Sequence, residues 1–181
     1  MPVGKGKTRV YVPATIDMLQ RLVADGEVEA VNRTAFAVTA ALREAYTSGD
    51  DDELAEVAMA EAARASLRLL AARVDDESAT DESAKDLPVR RVVVAADVEE
   101  ATPRPDLDDA VVRLAAPVTL KSVASVHVDL EGAEADVARA VEVIDAADMG
   151  DEEAEFVLGD AEDHQLAWYA PQELPFLLEL L

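Results

Sequence analysis

Between Ser125 and Ile144 the sequence reads SVHVDL and then EGAEADVARAVEVI, a change of period that constrains the fold more than any other stretch. In the first part Val126 and Val128 alternate with Ser125, His127 and Asp129, so a strand here turns valines to one side and polar groups to the other. In the second part Ala133, Val137, Ala140, Val141 and Ile144 recur at three- and four-residue steps, the stripe of an amphipathic helix. A strand that runs straight into such a helix predicts that the helical stripe lies on the valine face.

The same two periods divide the rest of the chain. Arg9–Pro13 alternates as a strand, with Val10 and Val12 opposite Arg9 and Tyr11, and Pro13 ends it by removing a ladder donor. Thr15 then predicts an N-cap for a helix bearing Ile16, Leu19, Leu22 and Val23 that stops at Gly26. A second helix is predicted from about Thr34 to Tyr46. A third runs from about Asp52 to Val74, its start favoured by the charges of Asp50–Glu53. The alanines of that third helix predict close packing against the second as a helical hairpin. Asp75–Asp86, DDESATDESAKD, has no apolar period and reads as a linker. Leu87–Val98 is the next strand, and three consecutive valines, Val92–Val94, predict cover on both faces. A short strand at Ala110–Leu114, a loop with one helical turn over Met149–Asp163 and a last strand at Gln165–Ala170 complete the pattern. Leu174, Phe176, Leu177 and Leu178 need burial, so the C-terminus is docked or held by a partner.

In chain order the main elements run strand, helix, strand, strand, helix, strand. That order predicts one α+β domain over residues 1–181, a ferredoxin-like (split βαβ) antiparallel sheet. A helical insertion occupies about 32–74 and an acidic linker about 75–87. In that topology the strands of Tyr11 and His127 lie side by side. Arg9, Tyr11, His127 and either Trp168 or Tyr169 then form one polar and aromatic surface, with Asp129 or Glu173 as a neighbouring carboxylate. The ligand-binding candidates are therefore Arg9, Tyr11, His127, Trp168, Tyr169 and Glu173.

Composition narrows the chemistry. With 181 residues and 50% hydrophobic side chains, a chain of this length buries roughly 70% of its unfolded surface. It has no cysteine, which excludes disulfides, thiolate metal sites and cysteine nucleophiles and suits a reducing, cytoplasmic compartment. Its formal charge of −23 repels nucleic-acid phosphate, and no apolar run is long enough for a membrane span. The basic run Gly4–Thr8 lacks the first glycine of a phosphate-binding loop and precedes its strand instead of following it. Asp50–Glu53 lacks the spaced ligands of a calcium loop. No helix-spaced histidine pair, serine elbow or carboxylate dyad is present, so neither a catalytic residue nor a cofactor is assigned.

Three segments, RVYVPAT at Arg9–Thr15, ASVHVD at Ala124–Asp129 and LAWYAPQEL at Leu166–Leu174, resemble a family of small acidic actinobacterial proteins of unknown function. The resemblance implies an actinobacterial cytosolic origin, leaves the chemistry unstated, and carries over no catalytic residue. The sequence thus leaves two main functions in competition. One is a non-enzymatic binding or regulatory module, with a homo-oligomer as one form, using the sheet face or the C-terminal tail. The other is a small-molecule site or enzyme around Tyr11 and His127. A divalent cation at the acidic loops near Asp106 and Asp151 is a third, weaker reading.

Overall fold

The computed structural model describes residues 6–75 and 87–181. The basic run before Gly6 and nearly all of the acidic linker lie outside them. In chain order the elements are β1 (Thr8–Ala14), α1 (Ile16–Asp25), β2 (Glu27–Val28), β3 (Thr34–Phe36), α2 (Ala40–Ala45) and α3 (Asp51–Asp75). They continue with β4 (Val92–Val98), β5 (Ala101–Pro103), β6 (Val111–Leu114), β7 (Val118–Thr119) and β8 (Val123–Val128). The remainder are α4 (Glu134–Asp148), α5 (Glu152–Glu162), β9 (Ala167–Tyr169) and α6 (Leu174–Leu180).

The fold is α+β. Seven strands form one antiparallel sheet in the order β5-β6-β3-β1-β4-β8-β9, and β2 pairs with β7 separately. This is not the order expected of a split βαβ unit, in which the strands of Tyr11 and His127 would be neighbours. Here β4 lies between β1 and β8, pairing with both.

Each face of the sheet has its own cover. Val10, Val12, Val92, Val94, Val126 and Val128 pack with Ile16, Leu19 and Leu22 of α1 and with Leu174 and Leu177 of α6. The opposite face gives Phe36, Val93 and Val111 to Leu54, Ala58 and Ala62 of α3. Val92, Val93 and Val94 are all essentially inaccessible, as a valine run covered on both sides requires. A third cluster unites Leu67 and Leu70 of α3 with Val137, Ala140 and Ile144 of α4 and Ala154, Leu158 and Ala161 of α5. The stripe of α4 therefore meets α3 and α5 and not the valine face, because α1 and α6 already fill that face.

Local signals explain most boundaries. Gly26 closes α1 at φ 77°, with its N–H on the Leu22 carbonyl. Asp50 Oδ1 accepts the Glu53 N–H at 2.9 Å, so this acidic run caps α3. The helix expected over 34–46 divides into β3 and the single short turn of α2. The alanines of α3 approach the sheet instead of forming a hairpin with α2. Where a loop with one helical turn is expected over 149–163, most of the segment is the eleven-residue helix α5, started by Asp151 Oδ1 accepting the Ala154 N–H at 2.9 Å. The C-terminus is docked through Leu174 and Leu177 on its own domain, while Phe176 and Leu180 face outward. No helix among the described residues is long and apolar enough to cross a membrane.

Two polar devices hold the layers together. The buried Ser66 hydroxyl of α3 donates to the Ala14 carbonyl at 2.8 Å and accepts the Val92 N–H at 3.0 Å, which fixes α3 across the ends of β1 and β4. Just beyond the β4–β8 ladder, Arg91 and Asp129 form a fork at 2.9 and 2.8 Å, with side-chain exposures of 4% and 0%. Removing one partner of a buried pair strands the other charge, whereas a solvated pair contributes little. Asp129→Ala is therefore expected to cost roughly 3–5 kcal/mol in urea denaturation, while Asp97→Ala at the exposed Arg9 pair costs at most about 1 kcal/mol. Equal losses would contradict this assignment.

Candidate functional site

The open corner of the sheet is built by β8 and β9, at the margin of the face that α3 covers. Cross-strand partners share a face, and the register pairs His127 with Trp168. This settles which aromatic joins the histidine: Trp168 does, and Tyr169 points to the other side, packing against the α1/α6 core. Trp168 is 61% exposed and His127 half-buried. Two residues before the histidine, the buried Ser125 places its Oγ 2.9 Å from His127 Nε2. A bulge helps to set this geometry. Ala95 faces Ser125 but Ala96 faces Val123, so Ala124 is the extra residue.

Burial lowers the His127 pKa below its ordinary value, with no charged neighbour acting on it. The ring is therefore neutral at pH 7. Asp129, expected as a carboxylate partner, is instead committed to Arg91, whose backbone N–H also donates to Asp129 Oδ2 at 2.8 Å. Glu173, the other expected carboxylate, accepts the Ala170 N–H at 2.9 Å at the start of the final helical segment. Among the described residues no carboxylate hydrogen-bonds His127.

The remaining candidates sit elsewhere. Tyr11 lies on the same face as His127, since Tyr11, Ala95 and Ser125 are in register, but β4 separates the two strands. Its ring packs in the α3 cluster, and burial raises its phenol pKa. Arg9 is bound to its cross-strand partner Asp97 at 2.7 and 3.1 Å, which holds the Asp97 carboxyl below its usual range. Of the six candidates, then, the structure brings together His127 and Trp168. Tyr11 and Arg9 form a separate, largely occupied group. Ser125 was the unassigned member, although its place two residues from His127 on an alternating strand already put both on one side.

A neutral imidazole, a buried hydroxyl and an exposed indole can exchange hydrogen bonds and offer a flat apolar surface. They lack the acid that would orient the ring for general-base work. Among the described residues no group of three or more His, Asp or Glu is placed to hold a metal ion. Asp106 is bound by Arg104 at 2.9 and 2.7 Å, and Asp151 by the helix it caps.

A family model described as "Family of unknown function (DUF6912)" matches residues 8–178. No curated protein and no solved structure matches the chain.

The state of the imidazole is directly measurable. In a proton NMR titration, the ring of His127 should have its midpoint below 6.5, the signal being assigned with His127→Gln. The unfolded chain binds this proton more readily than the folded one. The contribution to stability is thus complete above pH 6.5 and declines as pH falls toward the folded midpoint. A midpoint at or above 6.5 would contradict a desolvated, unpaired ring.

Proposed function

We propose, for a chain that belongs to the DUF6912 family, a non-enzymatic binding role carried by the β9 edge of the sheet. The observation that carries this reading is Trp168. The only tryptophan of the chain stands 61% exposed on a three-residue edge strand, beside a half-buried histidine. Exposed tryptophans anchor interfaces because one side chain supplies a large rigid apolar area. An edge strand also offers backbone donors and acceptors on its free side, to which an extended partner segment can add as a further strand.

Charge selects the partner. A formal charge of −23 attracts a segment rich in lysine and arginine and speeds its encounter, while it repels nucleic acid and a second copy of the chain. The fitting partner is a basic protein segment with at least one apolar residue for the indole. Absence of cysteine agrees with a reducing, cytoplasmic setting for such an encounter. The catalytic alternative rested on Tyr11 and His127 working together, and the strand between them leaves it without support.

Because Trp168 is the sole tryptophan, its fluorescence reports the corner without labels. Titration with ten-residue peptides of alternating lysine and leucine should give a saturable change that weakens as salt is raised. Trp168→Ala is expected to lower affinity, read by calorimetry, at least about tenfold and to leave the melting temperature within a few degrees of the parent. Absence of saturation, or equal binding by the variant, would refute the reading.

A further inference from the structure

Of the twelve arginines in this strongly acidic chain, eleven lie within salt-bridge distance of a carboxylate. Arg113 on β6 is the exception among the described residues. Acidic side chains outnumber basic ones 39 to 16, so a guanidinium with no carboxylate in reach stands out. Asp106, a loop acid that feels the charge of Arg113, is already gripped bidentately by Arg104.

Arg113 opens into a groove of about 840 Å³ that Glu29, Asn32, Arg33, Thr34 and Leu107 also line. The register sets Thr34 on one side of Arg113 and Thr102 on the other, giving the guanidinium a hydroxyl-bearing neighbour on each adjacent strand. Arg33 supplies a second cation. Its bond to Glu29, at 3.1 Å, joins two side chains that are each more than half exposed, a screened pair that exchanges easily. The turn presenting Arg33 is unusual. Asn32 and Arg33 both take left-handed backbone angles, φ 55° and 56°, a conformation rare outside glycine. It is closed by the Arg33 N–H on the Ala30 carbonyl at 2.9 Å and supported by the Thr34 hydroxyl on the Asn32 carbonyl at 3.3 Å. Non-glycine residues held this way concentrate at ligand-binding turns.

We infer that this groove is a second site, which binds a small organic oxyanion through Arg113, with Arg33 as the other arm. A planar guanidinium fork matches the two oxygens of a carboxylate or phosphate. The exposed Leu107 offers an apolar wall for the rest of the molecule, and the groove has room for a metabolite. The site is independent of the β9 corner.

The test is calorimetric titration of the full chain with inorganic phosphate and, separately, with citrate, followed by amide NMR of the saturated sample. The expected result is one saturable site for at least one anion, with shifts concentrated at residues 29–34, 107 and 113. Saturation by phosphate alone identifies a phosphoryl ligand, and by citrate alone a carboxylate ligand. Arg113→Gln should reduce affinity at least tenfold while the ligand-free melting temperature holds, since the guanidinium forms no ion pair among the described residues. Arg113→Lys retains the charge without the fork, and should fall between the two. Trp168→Ala should bind the anion as the parent does. Failure of both anions to saturate, shifts centred elsewhere, or undiminished binding by both Arg113 variants would overturn the inference.

Discussion

The Arg91–Asp129 pair fixes the middle of the molecule. It extends the β4–β8 ladder by one step, with the Asp129 N–H on the Arg91 carbonyl at 3.1 Å, and then adds a third strand's approach through Arg91 Nη2 on the His164 carbonyl at 2.9 Å. Two ions removed from water at such cost are tolerated only when their buried polar atoms are hydrogen-bonded, and among the described residues no buried side-chain nitrogen or oxygen lacks a partner. Next to it, Arg90 bonds Glu134 at 3.0 Å and the Asp129 carbonyl at 3.3 Å. Adjacent arginines thus clamp the β8–α4 connection from two directions. With its first turn tethered at the entrance of β4, α4 is delivered to the second half of α3 and not to the valine face.

That delivery explains which parts of the fold were legible in the sequence. Alternation in β1 and β8, the valine run of β4 and the stripes of α1 and α4 are local patterns, and each lies in an element of the expected type, although β4 begins at Val92 and not at Leu87. A stripe states that a helix has an apolar side but not what covers it, so the α4 stripe was assigned to the nearest valines. Strand order is equally non-local. Nothing in VVVAAD announces that β4 pairs with β1 on one edge and β8 on the other. β3 was hidden because three residues, Thr34–Phe36, cannot display a period before α2 begins, and the left-handed turn at Asn32 and Arg33 has no glycine to mark it. α5 was hidden by its acids: Ala154, Leu158 and Ala161 keep helical spacing within a stretch whose charge reads as loop.

The candidate site shows the same division. Alternation correctly put Tyr11 and His127 on one face, and register then joined Trp168 to His127 and sent Tyr169 to the opposite core. What it could not supply was the intervening strand. Electrostatic pairing was also non-local. Arg64 and Arg68 of α3 reach Asp148 and Glu155, cross-linking the three helices. The Asp148 carboxyl is held low chiefly by Arg68, so this link is intact at neutral pH and weakens only as the carboxyl takes up a proton in acid. Arginine is therefore mostly structural in this protein, a scarce cation spent within a surplus of acids.

Geometry decides where surface remains. Seven strands at about 4.8 Å spacing span roughly 29 Å, whereas a helix with its side chains is about 10 Å across. One helix covers only part of such a sheet unless it crosses every strand, and α3 lies chiefly over β3, β1 and β4. Two flanks of that face stay uncovered by α3. One is the β8–β9 margin with His127 and Trp168. The other is the β6–β5 margin, where Val111 still reaches the α3 cluster but Arg113, two residues on and on the same face, does not. On the opposite face α1 and α6 together cover the valines of β1, β4 and β8. Aromatic and cationic side chains stand open on the α3 side because one helix was given a sheet that needs more than one to cover it.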